Sequence, residues 1–233
     1  MNLSPGTPPA TNSGSLGAAA DGVYSGAFTC GATGALAAGT DTAVALNGGR
    51  VTVPYSPSLN TKAFSAEYWY YPSNASGQVT IGNIQYPNNP VRKGWCVLSY
   101  ADHWGFRLYD PSGGSLTFNT PAVAGSVNGK WTHVAVTYDG TSNAVVYLDG
   151  VIAVTGVQTN FAPNPESALT FGLRIDGYAV PGMGDELALY TNALSFSAIA
   201  AHYAAGTNSA VDAHASTVLA DNPVGYWRLN EPV

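Results

Sequence analysis

Asp185 and Glu186 stand side by side in the run GDELALY. Two carboxylates about 5–9.5 Å apart across a cleft are what glycoside hydrolysis needs. Neighbours on a strand point to opposite faces, so these two are not expected to work as a pair. The four histidines, at 103, 133, 202 and 214, lack a metal-ligand spacing such as His-x-x-x-His. There is no Gly-x-Ser-x-Gly elbow and no phosphate loop. The residue types therefore argue against catalysis, and His133 reads as a packed or hydrogen-bonded structural residue. Sugar binding makes a different demand: aromatic platforms beside planar polar groups. Trp69 and Tyr71 with Glu67 could supply it, as could Trp95, Tyr100 and Trp104 around SYADHWG. The competing reading puts each tryptophan in a core or under a loop.

The elements that would hold these residues are short strands. Charged residues make up 9% of the chain, against about 25% in an ordinary globular protein. Gly, Pro, Tyr, Thr, Ser, Asn and Val take their place, which favours strands and turns. A net charge of −6 with only eight Lys and Arg leaves no basic stripe to neutralise phosphates, so nucleic acid is excluded as a partner. No apolar run is long enough for a membrane span. The first residues, MNLSPGTPPATNSG, lack the basic and apolar regions of a signal peptide. If the protein is exported, its signal lies outside them. Cys30 and Cys96 allow one disulfide; two separate buried thiols are the alternative.

Residues 1–20 carry no periodicity and read as an irregular lead-in. In TAVALNGGRVTVPYSP, Asn47-Gly48-Gly49 between alternating hydrophobics predicts a hairpin. AFSAEYWYYP divides into Phe64, Ala66, Tyr68 and Tyr70 on one face and Ser65, Glu67, Trp69 and Tyr71 on the other. A dry core would not leave Glu67 unpaired, so its face is expected to be the wetter one. KWTHVAVTYDGTSNAVVYLDG predicts a second hairpin, with Val134, Val136 and Tyr138 on one face and Ala144, Val146 and Leu148 opposing on the return. QVTIGNIQYPNNPVRKGW reads as a long exposed loop. LSFSAIAAHYAAG is the one helical stretch, near 196–205, with a serine cap and Gly206 at its end. Residues 207–220 read as a linker. Residues 221–233 carry a further alternating run through Tyr226, Trp227, Arg228 and Leu229.

Three of these segments together carry a resemblance: WTHVAVTYDGTSNAVVYLDG, AFSAEYWYYP and GDELALYTNALSFSAIAAHYAAG. They resemble the laminin-G-like jelly rolls of the concanavalin A-like lectin/glucanase superfamily. The resemblance spans about residues 20–206 and implies an all-β, two-sheet antiparallel jelly-roll sandwich over 21–206. Glycosidases occur among such folds, but their clustered carboxylates, as in Glu-x-Asp-x-x-Glu, have no match here. The resemblance also implies a use for the tail. The first core strand of such domains often reads like YWRLNE, which here stands at Tyr226 to Glu231. Three readings stay open: the strand completes its own sandwich, it inserts into a neighbouring copy, or it is left loose. Calcium is implied too, with Asp185, Asn12, Asp21 and Glu231 as ligands if the two ends of the domain meet the Asp185 strand. The expected function is a non-catalytic extracellular adhesion or scaffold module, one repeat of a larger surface protein, whose partners are neighbouring copies or another extracellular protein. A carbohydrate-binding module, with a glycan as its partner, is the alternative, and a glycoside hydrolase relative stands third.

Overall fold

The computed structural model of the chain describes residues 8–85, 91–172 and 180–232. Two antiparallel sheets form a sandwich. The first runs in the order β1 (Val23–Ser25), β4 (Arg50–Val53), β13 (Leu169–Gly172), β6 (Gln78–Ile84), β7 (Gly94–Ser99), β8 (Trp104–Tyr109) and β9 (Ser115–Asn119). The second runs β12 (Val151–Val157), β11 (Asn143–Leu148), β10 (Thr132–Asp139), β5 (Ala63–Pro72), β14 (Gly182–Tyr190), β3 (Thr42–Leu46) and β2 (Phe28–Thr33). A last strand, β15 (Gly225–Trp227), pairs with β14.

Period-two burial builds the interior. Phe64, Ala66, Tyr68 and Tyr70 of β5 and Val134, Val136 and Tyr138 of β10 pack with Ile81, Val97, Phe106 and Phe171 of the facing sheet. The hairpin of β10 and β11 has the expected register, with Val136 opposite Val146 and Tyr138 opposite Ala144. The other expected hairpin does not form. β3 pairs with β2 and β14, whereas β4 pairs with β1 and β13. The Asn47-Gly48-Gly49 turn therefore carries the chain from one sheet to the other. Its glycines allow the crossing: Gly48 has φ +99°, and a Cβ on Gly49 would sit 2.4 Å from the Ala27 carbonyl oxygen. Alternation alone does not distinguish two strands of one sheet from two strands facing each other across a core.

Among the described residues, two α-helices cover the outer face of the second sheet, one more than expected. α1 (Phe196–Gly206) starts at Ser195, whose Oγ accepts from the Ala198 N–H at 3.2 Å. α2 (Ala213–Ala220) occupies most of the segment expected as a linker. Its sequence, AHASTVLA, is rich in strong helix formers, and it buries His214, Ala215 and Val218. With Ile199 and Leu194, Ala215 and Val218 pack on Ala135, Ala188, Tyr190 and Tyr226. The expected long loop is also half strand, since β6 and β7 leave only 85–93 between them. Of that connection, 86–90 lie outside the described residues. Cys30 and Cys96 are both buried and are not bonded to each other, so the expected alternative of a disulfide does not hold. No helix among the described residues is long and apolar enough to cross a membrane.

The terminal strand sits in its own sandwich. β14 is shared along one edge, its first half pairing with β3 and its second with β15. On the far side of β15, Asn12 bridges to Trp227. The Ser13 N–H donates to the Tyr226 carbonyl at 2.8 Å, and the Asn12 Oδ1 accepts from the Tyr226 N–H at 2.7 Å. Trp227 is fully buried, and its Nε1–H donates to the Ala20 carbonyl at 2.8 Å.

Candidate functional site

Glu67 lies on the face expected to be wet, yet it is 0% exposed. α1 covers that face, and the charge is kept by partners rather than by water. His133 Nε2 is 3.1 Å from Glu67 Oε2, His202 Nδ1 is 2.8 Å from Oε1, and the Tyr190 hydroxyl donates to Oε1 at 2.5 Å. Burial alone would raise the Glu67 pKa, but the bonds to His133 and His202 hold it well below the ordinary carboxylate range. Burial alone would lower His202, but Glu67 and Asp221 raise it.

The tryptophans expected as sugar platforms are not available as such. Trp95 and Trp104 are buried in the core between the sheets. Trp69 is buried under α1, stacked on Tyr203 with ring centroids 5.6 Å apart. Alternation placed Trp69 and Glu67 together correctly, but it could not show that a helix lies over them. Four half-exposed aromatic rings, those of Tyr71, Trp131, Tyr100 and His103, lie at one end of the sandwich. Tyr71 closes β5, and Trp131 precedes β10; their rings meet edge-on at 5.7 Å. Tyr100 follows β7 and stacks flat on His103 at 4.2 Å. His103 Nδ1 is 2.7 Å from Asp102 Oδ1. Trp131 and His103 were not singled out as ligand-binding residues, although Trp131 follows an exposed Gly-Lys turn.

Backbone bonds lace the three loops of this end together. The Gly129 N–H donates to the Pro72 carbonyl at 2.8 Å, and the Ala75 N–H to Asn128 Oδ1 at 2.8 Å. The Val127 N–H and the Ser126 hydroxyl both reach the Ala101 carbonyl, at 3.0 and 2.8 Å. Gly77 is needed for close approach: a Cβ there would lie 2.7 Å from the Tyr100 ring, and its φ is +82°. The result is a loop platform on a rigid scaffold, where binding sites of sandwiches are commonly built.

The residues expected as calcium ligands fall into two groups. Asn12, Asp21 and Glu231 join the two chain ends, and their oxygens are engaged. Asp21 Oδ1 accepts from the Asn12 N–H at 2.8 Å, Asn12 Oδ1 from Gly14 and Tyr226 N–H, and Glu231 from the Thr11 N–H and the Tyr24 hydroxyl. Among the described residues, the carboxylates gathered close to Asp185 do not include Asp21 or Glu231. Asp185 instead meets Asp41 and Glu186, with one oxygen of each residue within 4.8 Å of the others. Adjacent strand residues reach one cluster because the ladder slips between Asp185 and Ala188 and Glu186 adopts φ +52°. The expectation that Asp185 and Glu186 point apart is thereby overturned. Burial, then Glu186 and Asp41, push the Asp185 carboxyl well above the ordinary range. Glu186 is held by Arg228 Nε at 3.1 Å, by His214 Nδ1 at 3.3 Å and by the Tyr226 hydroxyl. A cavity of about 150 Å³ opens beside this cluster, lined by Leu36, Asp41, Asp212, His214, Arg228 and Asn230 among others.

A family model described as the concanavalin A-like lectin/glucanases superfamily matches residues 45–200. The chain belongs to this superfamily. By sequence no curated protein matches it. Among solved structures, this superfamily member is similar to domain 4 of AbnA, a GH43 extracellular arabinanase from Geobacillus stearothermophilus, in complex with arabinotriose. The TM-score is 0.60 at 19% identity, covering 82% of this chain and 96% of that one. It is also similar to the binding domain of botulinum neurotoxin serotype G, with a TM-score of 0.62 at 16% identity over 83% of this chain and 47% of that one. The binding domain of Paraclostridial Mosquitocidal Protein 1 gives a TM-score of 0.58 at 14% identity over 84% and 51%. The chain spans about half the length of the two toxin structures. At these identities the likeness is one of fold.

Proposed function

We propose that the chain is a non-catalytic glycan-binding module of an extracellular protein, serving attachment, with its ligand across the loop end that holds Tyr71, Trp131, Tyr100 and His103. One observation carries this reading. Burial removes Trp69, Trp95 and Trp104, while two aromatic pairs keep half-exposed rings at one end of the scaffold. A flat ring beside Asp102 and loop amides is the pairing of apolar face and polar edge that a sugar requires. The likeness, over 96% of its length, to a domain described in complex with arabinotriose supports a saccharide over a protein ligand. Joining of modules through the terminal strand finds no support, because that strand fills a place in its own sheet. A hydrolytic role finds none either: the clustered carboxylates of Asp185 and Glu186 are fully buried and closer than the spacing glycosidases use.

Calorimetric titration with arabino-oligosaccharides, alongside a glycan array, tests the proposal. Trp131→Ala and Tyr100→Ala should each weaken binding by about tenfold or more, as stacking worth over about 1.4 kcal/mol implies. Retention of no glycan by the wild-type chain, or equal binding by both variants, rejects it.

A further inference from the structure

We propose that the free edge of β12 is a self-association surface, on which the strand pairs antiparallel with β12 of a second copy of the chain about a two-fold axis at Thr155. This goes beyond the glycan reading and does not rest on it. The surface is also distinct from the terminal strand, which fills a place in its own sheet.

β12 ends the second sheet on one side. Its neighbour is β11, and no strand lies beyond it among the described residues. Alternate backbone N–H and C=O groups therefore point outward, with no backbone partner among the described residues. Edges of this kind are usually blunted by lysine, proline or an inward charge. Residues 151–157, VIAVTGV, contain no charged residue and no proline. They leave Val151 59%, Ile152 51% and Val157 62% exposed. The mouth of the sandwich beneath them is sealed, because the Phe118 ring of β9 lies where a Cβ on Gly156 would fall, 2.0 Å away. The opening is thus an edge and not a groove. β9 is a free edge too, but it is shorter, and Leu116 is its one exposed large hydrophobic.

A row of backbone donors and acceptors takes a strand as its occupant, and β12 is complementary to itself. It pairs with β11 through Ile152 opposite Tyr147, Val154 opposite Val146, Thr155 opposite Val145 and Val157 opposite Asn143, with Ala153 left over at a bulge. Val146 belongs to the core between the sheets and Val154 packs against that core. Val154 and Gly156 therefore face inward, and Ile152, Thr155 and Val157 face outward. A two-fold axis normal to the sheet keeps each face on its own side. Placed at Thr155, it sets Thr155 opposite Thr155, Val154 opposite Gly156 and, with the bulge skipped, Ile152 opposite Val157. The two outward residues that are each more than half exposed in one copy then cover one another. A threonine pair is a favourable cross-strand pair. Neither strand brings a charge, so the net charge of −6 adds no like-charged pair to this ladder. The contact is isologous and closes at two copies.

Sedimentation velocity of the full chain, from about 1 to 200 µM, tests this. The wild-type chain should reach twice its mass of 24.0 kDa. Thr155 is exposed, so Thr155→Lys and Thr155→Glu should fold and melt like the wild type. Each sets like charges opposite one another at the axis and should raise the dimer Kd by more than about tenfold. An equimolar mixture of the two variants should dimerise again, because Lys then faces Glu; a variant that had merely damaged the fold would not be rescued this way. A wild-type chain that stays monomeric throughout overturns the proposal. So do oligomers larger than two, a dimer unaffected by both variants, or a mixture that stays monomeric. No saccharide enters the measurement, so its failure leaves the glycan proposal standing, and the reverse also holds.

Discussion

At Glu67 a carboxylate is carried into a fully dry face by two imidazoles and a phenol. The sequence made the need for a partner legible, because an unpaired charge does not survive burial. It did not reveal the partners, which come from 66 and 135 residues away on β10 and α1. The arrangement has a pH signature. Glu67 is held below its unfolded value of about 4.3, so its stabilisation is full above that pH and is lost as pH falls through the folded value. His202 is held above its unfolded value of about 6.5, so its stabilisation is full below that pH and is lost as pH rises through the folded value. The network should therefore contribute most between about pH 4.5 and 6.5. Glu67→Gln should cost about 3–5 kcal/mol within that window, as breaking one side of a buried pair does, and less at pH 9. Thermal melts of both proteins from pH 4 to 9 would show the difference narrowing as pH rises. A constant difference across the range would mean that the imidazole charge plays no part.

Among the elements, β5, β10 and β11 were legible because their alternation places Phe64, Tyr68, Val134 and Val136 together in the core between the sheets. Three features were not, each for a separate reason. The β3–β4 connection has hairpin residues, but its strands belong to different sheets, and pattern does not encode sheet membership. α2 has a weak stripe, and its docking surface is built by β10, β14 and β15 rather than by neighbours in sequence. The bulge at Glu186 puts a non-glycine residue at positive φ, which no local signal announces. Of the proposed loop-end site, Tyr71 and Tyr100 were among the residues expected to bind a ligand and Trp131 and His103 were not, while for Trp69, Trp95 and Trp104 the competing reading of a buried position is the one that holds. The terminal strand was legible as a strand through Tyr226, Trp227 and Leu229, all now fully buried. Trp227→Ala should lower stability by about 3–5 kcal/mol, the usual cost of truncating a buried large aromatic. Urea unfolding would record this as a lower midpoint with an unchanged slope. A loss under about 1 kcal/mol would show that β15 adds little to the sheet.

For the molecule as a whole, the decisive contacts join residues that are far apart in the chain. Trp227 donates to Ala20 across 207 positions, and Glu231 accepts from Thr11 across 220 and from Tyr24 across 207. Asn12 binds the backbone of Tyr226 from the other side of the strand. Neither the lead-in nor the terminal segment can then leave without uncovering buried groups of the other. Removal of β15 would strip Leu187 to Leu189 of their ladder partners on one side, and α2 packs on the same strand. These dependencies make the sandwich, both helices and the two end segments one cooperative unit rather than a core with appendages. Equilibrium unfolding should accordingly show a single transition. Far-ultraviolet circular dichroism, which reads the sheets, should coincide with tryptophan fluorescence, and amides of 224–227 should exchange hydrogen only as slowly as those of β5. Early exchange of 224–227, at denaturant concentrations where β5 is still protected, would place the terminal strand in a separate, weaker unit. Coincidence would instead mean that the ends are as much a part of the core as Tyr68 or Phe171.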